Sequence, residues 1–163
     1  MTVPEGLTAR PHGKSITMQR ALEFCLHISG AHTSLMQKLD DVLGTLHGLS
    51  YSDFMLLHLL SRADAGRLPV ADLARPLGLS LSAVTRQLIL LEKTGLALRE
   101  QHPGDGGRRY AAIRSGGRKT LHGAIVTAAA LCAEVVNTLP AATLADVQDA
   151  MRCIGRSEVL DLT

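Results

Sequence analysis

Seven histidines and three cysteines are the side chains of this 163-residue sequence best suited to ligate a metal or attack an electrophile. Their spacing supports neither chemistry. His27 and His32 are five apart, whereas two ligands over one ion on a helix need a separation of three or four; Cys25 and His32 share a face but lie two turns apart. A zinc ion would have to collect ligands from several segments, His122 among them. Cys25, Cys132 and Cys153 are odd in number and too widely spaced for a CxxC site or a disulfide framework, so reduced thiols are expected. Gly116-Gly117-Arg118-Lys119-Thr120 faintly echoes a phosphate-binding loop but lacks the first glycine at the required distance and a glycine directly before the lysine. No GxSxG, HExxH or GxGxxG is present. No catalytic residue, metal or cofactor is expected, and the chain does not read as an enzyme.

The chemistry that stands out is recognition of a polyanion. In the stretch 80–95, SLSAVTRQLILLEKTG, Ser80 is a good N-cap and Gly95 the residue that most easily ends a helix in the left-handed conformation. At 100° per residue, Leu81, Val84, Leu88 and Leu91 form an apolar face. Ser82, Thr85, Arg86, Ile89 and Lys93 fall on a stripe turned well away from it. Short hydroxyl side chains let a backbone approach the major groove, and a long Arg reaches a guanine edge or a phosphate. The segment alone would also suit a solvated amphipathic helix; its surroundings decide the matter.

Ahead of it, residues 16–46 carry a helical pattern from Leu22 through Leu26, Ile28, Leu35, Leu39 and Leu43 to Leu46, softened at Gly30 and Gly44. A first helix this long implies packing beyond its own domain. Turn and cap residues 49–53 open a second helix, 53–62; 63–68 reads as a loop or brief strand, and Pro69 starts a short helix, 70–77, closed by Gly78. A short helix, a tight Gly-containing turn and an amphipathic helix make a helix-turn-helix. Residues 96–101 and 108–113 then read as strands flanking the turn chemistry of 102–107, a wing with Arg108 and Arg109 near its tip. From Ser115 a helix runs toward Leu139-Pro140, with Thr143 as the expected cap of a last helix. The apolar, charge-poor ends of the chain are most simply buried between two subunits.

Composition agrees. From residue 67 to 119 there are ten Lys or Arg against four Asp or Glu, a net of +6, while the remainder nets −4. Positive charge is concentrated around the 80–95 helix, as meeting phosphates requires. Two Tyr, two Phe and no Trp disfavour stacking platforms for single strands and favour duplex DNA. No run of 18 or more uncharged apolar residues occurs and residues 1–15 lack a signal-like apolar run, so no membrane partner and a cytoplasmic location are expected.

From Leu49 to about Leu121 the chain resembles the MarR/SlyA family of bacterial winged-helix regulators. LSYSDFMLLHLL, VADLARPLGLSLSAVTRQLILLEKTGLALRE, and Pro103-Gly104-Asp105 leading to Arg108-Arg109 carry the resemblance. It implies a mainly α, winged helix-turn-helix fold: a flexible arm over 1–15, a dimerisation helix over 16–48, the DNA-binding domain over 49–114 and C-terminal dimerisation helices over 115–163. It further implies a homodimeric, ligand-responsive regulator, a repressor, that seats residues 80–94 in successive major grooves of a pseudo-palindrome with the wings, 99–113, alongside.

The implied DNA contacts are Ser80, Ser82, Thr85, Arg86, Lys93, Arg108 and Arg109. The implied effector is a small phenolic or carboxylated molecule, and His27, His47, His58 and Arg62 are its expected pocket lining, since they sit on the first two helices. Family wings read Asp-x-Arg, whereas Asp105-Gly106-Gly107-Arg108 places the arginine one residue late, so either Arg108 or Arg109 takes that role. The family's Leu-Thr cap is replaced by Ile113-Arg114-Ser115, with Ser115 as the substitute cap. Two alternatives stay open: a winged-helix adaptor binding an acidic protein, and a thiol-based redox sensor using Cys25.

Overall fold

The computed structural model describes residues 16–101 and 106–155. The N-terminal arm and the wing-turn residues Pro103, Gly104 and Asp105 lie outside them. The chain divides between Leu35 and Met36 into two compact units. Helix α1, Met18–His47, contributes to both; in the first unit Leu22, Phe24 and Leu26 are exposed, while in the second Leu39 and Leu43 are buried.

The second unit is built on α2 (Tyr51–Arg62), α3 (Val70–Leu77), α4 (Leu81–Lys93) and α5 (Ser115–Val136), with β1 (Arg67–Pro69), β2 (Ala97–Gln101) and β3 (Arg109–Ile113), and with α6 (Ala141–Gly155) at the end. Ser50 starts α2 through a reciprocal capping box: its Oγ accepts from the Asp53 N–H, and the Asp53 carboxylate accepts from the Ser50 N–H. The stretch expected to be a loop or brief strand is both, a 3₁₀ turn over Asp64–Gly66 followed by β1. The three strands form an antiparallel sheet in the order β1-β3-β2, with Leu68 opposite Ala111 and Arg99 opposite Ala111 on the other side.

Gly78 ends α3 in the left-handed region (φ 63°), where its N–H and that of Leu79 satisfy carbonyls of the last turn; the chain then re-enters a helix within three residues. Gly95 (φ 75°) does the same for α4, and the Leu96 N–H reaches back to the Leu91 carbonyl at 2.9 Å. The core is aliphatic. Leu56, Leu57 and Leu60 of α2, Leu73 of α3, Val84 and Leu88 of α4, and Leu121 and Ala124 of α5 are buried together with Ala97 and Ala111 of the sheet.

Three expectations need correction. Ser115 does not cap α5: Arg114 holds the cap position with extended backbone and no side-chain cap bond. The register is fixed instead by the main chain, because the Arg114 N–H donates to the Leu96 carbonyl at 3.0 Å. Nor does Thr143 cap α6, which starts at Ala141 with the Pro140 carbonyl accepting from Leu144. Proline suits a helix start because it has no N–H to leave unsatisfied. Leu81, assigned to the apolar face of α4, is 52% exposed. It is the first residue of the helix and lines an open cleft with residues 69–72, whereas Val84, Leu88 and Leu91 are buried.

Helix α5 is long and apolar enough, by length and composition, to cross a membrane. Its Leu121–Ala124–Ala128 side is buried in the winged unit, where α5 packs on α2.

Candidate nucleic-acid interface

Ser82, Arg86 and Lys93 are exposed and Thr85 half-buried, while Val84, Leu88 and Leu91 hold the opposite side in the core. Ile89 is half-buried, consistent with packing, and Leu90 stands out at 61% exposed. The hydroxyls are partly spent on the helix itself. Ser80 Oγ accepts from the Ala83 N–H at 3.2 Å and lies 3.1 Å from Ser82 Oγ, and Thr85 Oγ1 donates to the Leu81 carbonyl at 2.8 Å.

The wing returns toward the start of this helix. Arg108 and Arg109 are exposed, and with Gly107 they line a cleft of about 570 Å³ whose other walls are Pro69, Val70, Ala71 and Asp72 at the start of α3, and Leu81 and Thr85 of α4. Strand alternation explains Arg109: it shares a strand face with buried Ala111 and Ile113, so it projects toward the helices from just beyond the core. Tyr110 points the other way, and the Arg67 guanidinium lies 5.3 Å from its ring centre. Thr85, Arg108 and Arg109 therefore meet around one cleft. Lys93 does not join them: seven residues beyond Arg86 on a helix, it sits about 10 Å further along the axis.

Beside Lys93, the other end of α4 is locked to the sheet. Arg99 Nη2 donates to Glu92 Oε2 at 2.6 Å and its Nε to the same oxygen at 2.9 Å. These bonds hold the Glu92 carboxyl below its usual range.

The four expected effector residues are not gathered into one cavity among the described residues. His47 is half-buried; its Nε2 lies 2.7 Å from Thr127 Oγ1, and two adjoining grooves of about 330 and 530 Å³ run from it past Thr94, Leu96 and Thr120. Gly123 makes room for this ring, since a Cβ there would stand 3.2 Å from His47 Cε1. His58 belongs to a different place, the aromatic row Tyr51, Phe54, His58 along α2, with ring centres about 6 Å apart. Burial and then the charge of Arg62 push its imidazole below the ordinary histidine range, and its Nδ1 is buried without a partner among the described residues. Tyr51, at the other end of the row, is pushed above the usual phenol range by burial and then by Cys132. Arg62 is exposed, and His27 is exposed on the separate segment 18–35.

Cys25 and Cys153 are exposed free thiols and Cys132 is half-buried. No group of three or more His, Cys, Asp or Glu is placed to hold a metal among the described residues.

Sequence reasoning missed Asp72 and Leu81 as walls of the cleft, and Gln87. Gln87 lies between the two stripes of α4, so periodicity gives it no signal, yet its Nε2 donates to Ser52 Oγ at 3.0 Å and Asp53 Oδ1 at 2.9 Å.

Comparison with known proteins agrees with this fold. A family model described as MarR family matches residues 47–106. A search among curated proteins finds no match. Among solved structures, Sco3205, a MarR family transcriptional regulator from Streptomyces coelicolor in complex with DNA, superposes with a TM-score of 0.77 at 22% identity, covering 90% of this chain and 91% of that one. The transcriptional regulator BldR from Sulfolobus solfataricus gives 0.76 at 22% identity over 88% and 100% of the two chains. A mutant MarR from E. coli complexed with operator DNA gives 0.74 at 19% identity over 86% and 99%. Likeness at this identity establishes the fold. The chain thus carries the MarR family pattern over residues 47–106 within a MarR-type winged helix-turn-helix fold.

Proposed function

We propose that this chain is a homodimeric, ligand-responsive transcriptional regulator, a repressor, that binds duplex DNA at a pseudo-palindromic operator. The observation that carries the reading is that Thr85 of α4 and Arg108 and Arg109 of the wing line one cleft, on a helix whose Ser82 and Arg86 are exposed. Ser82 and Arg86 offer groups to base edges or phosphates in the major groove, Ser80 and Thr85 let the backbone come close, and Lys93, Arg108 and Arg109 meet phosphates. That two structures of the same fold are complexes with DNA supports the reading.

Dimerisation is supported by apolar side chains left in water at the two ends of the chain: Leu22, Phe24 and Leu26 of α1, and Val147, Met151 and Ile154 of α6. For the effector, the His47 grooves are the better-supported site. They touch α1, α4 and α5 at once, so a molecule bound there with different affinity in two helix arrangements would shift the balance between them. A phenolic or carboxylated molecule would meet His47, Thr94, Thr120 and Lys119 there.

The test is a selection of duplex fragments bound by the purified protein at about 150 mM salt, where weak electrostatic binding is suppressed. An inverted repeat should emerge, and Arg86→Ala should weaken binding to it by about 1–3 kcal/mol and relax base preference at one position. A folded dimer that enriches no duplex would overturn the reading.

A further inference from the structure

We infer that Gln87 is a positioning residue that sets how α4 presents its outer stripe, by tying the helix to the capped first turn of α2; the inference rests on the duplex-binding reading above. The anchor is itself well fixed. Ser50 Oγ donates to Asp53 Oδ2 at 2.7 Å and the Ser50 N–H donates to the same oxygen at 3.2 Å, while the Tyr51 N–H donates to Asp40 Oδ1 of α1 at 2.6 Å. The two oxygens of Asp53 therefore divide their work. Oδ2 closes the capping box and Oδ1 receives Gln87 Nε2, which also donates to Ser52 Oγ.

This tether supplies something the buried leucines of α4 do not. Apolar contact is non-directional and tolerates a small rolling of the helix, whereas a pair of hydrogen bonds from one amide, one to a hydroxyl and one to a carboxylate, has direction. A roll of about 20° displaces the outer surface of a helix by about 2 Å, enough to take Arg86 out of hydrogen-bonding range of a base edge. The same amide is poorly suited to a purely stabilising role. Among the described residues Gln87 Oε1 is buried without a partner. An unpaired buried acceptor opposes folding, so a leucine of similar size would lose the donor's bonds but also relieve that cost. Folding and recognition should therefore separate at this residue.

The experiment compares wild type, Gln87→Leu, Gln87→Glu and the exchange Asp53→Asn with Gln87→Glu. Each is titrated on its selected duplex and on random duplex, with urea denaturation of the same samples. Gln87→Leu should keep the wild-type urea midpoint and random-duplex affinity while losing roughly tenfold in the ratio of selected to random binding. Gln87→Glu should lose at least as much, because two carboxylates then face each other. Adding Asp53→Asn, whose amide can donate to Glu at 87 while its carbonyl still serves the cap, should return the ratio to within about twofold of wild type. A preserved ratio in Gln87→Leu, a loss that merely follows a fall in stability, or an exchange that fails to recover would each overturn the assignment. A wild type without preference for any duplex removes the underlying reading and the assignment with it, an outcome distinct from a discriminating wild type matched by its variants.

Discussion

Gly116 and Gly117 are consecutive residues in the first turn of α5, and alanine should act on them in opposite directions. A Cβ on Gly117 would fall on the Leu96 carbonyl oxygen, with the Leu96 carbonyl carbon and Ile113 Cγ1 each at 3.0 Å. The main chain there cannot withdraw freely, because the same carbonyl accepts the Arg114 N–H at 3.0 Å and so joins β2 to the start of α5. Overpacking against fixed backbone costs about 1–3 kcal/mol, here at the upper end, and the helix preference of Ala over Gly recovers at most about 1. Gly117→Ala should therefore lose about 2 kcal/mol, or roughly 4–8 °C in Tm for a chain of this size. At Gly116 the added Cβ meets only the Gly95 carbonyl oxygen at 3.4 Å, an ordinary contact, and the residue is exposed. Gly116→Ala should gain about 0.5 kcal/mol from helix preference and a less flexible unfolded chain. Urea denaturation followed by circular dichroism, at matched protein concentration, reads both changes. A Gly117→Ala protein as stable as wild type, or equal losses at the two positions, would refute the account of this junction.

Ala65 is the non-glycine residue with positive φ (57°) among those described, so Ala65→Gly should be neutral to stabilising by about 0.5 kcal/mol and Ala65→Val destabilising by about 1–2; thermal melts distinguish them. His58 is held below the ordinary histidine range, so the unfolded chain binds its proton first as pH falls. Stability should drop as pH goes down through the usual histidine value of 6.5 and level off below the lowered native one. His58→Phe should flatten that slope in urea midpoints taken across the window, and an unchanged slope would assign it to another group. Arg108→Ala and Arg109→Ala should each weaken selected and random duplexes alike and reduce the salt slope of binding by about one, as loss of a phosphate contact requires. An unchanged slope for either variant would remove that arginine from the interface.

The helix-turn-helix was legible because its signals are local and repeated. Gly78 and Gly95 mark helix ends, Ser80 marks a start, and Val84, Leu88 and Leu91 recur at helical spacing into the core. What escaped depends on partners distant in sequence. The start of α5 follows from the Leu96 carbonyl, 18 residues before the Arg114 N–H it accepts, so a local search for a capping side chain settles on Ser115 instead. Leu81 has the spacing of a core residue, but spacing cannot tell where the covering layer stops. The effector residues were chosen by location on two helices, and the fold turns His47 toward α5 while placing His58 in an aromatic row on α2.

The proposed reading face is likewise narrower than its composition suggests, and this bears on what it could distinguish. Of its three hydroxyls, Ser80 caps the helix and Thr85 gives its proton to a main-chain carbonyl, so Thr85 has only an acceptor lone pair and a methyl group left to offer. Ser82 Oγ lies 3.1 Å from Ser80 Oγ, and Arg86 brings donors alone. In the major groove such a set pairs the guanidinium with the two acceptors of guanine and leaves Thr85 to a thymine methyl or an amino edge. Discrimination then rests on Arg86 and Thr85 holding a fixed separation and direction. The aliphatic core beneath α4 supplies their height above the domain, and Gln87, lying between the two stripes, supplies their angle.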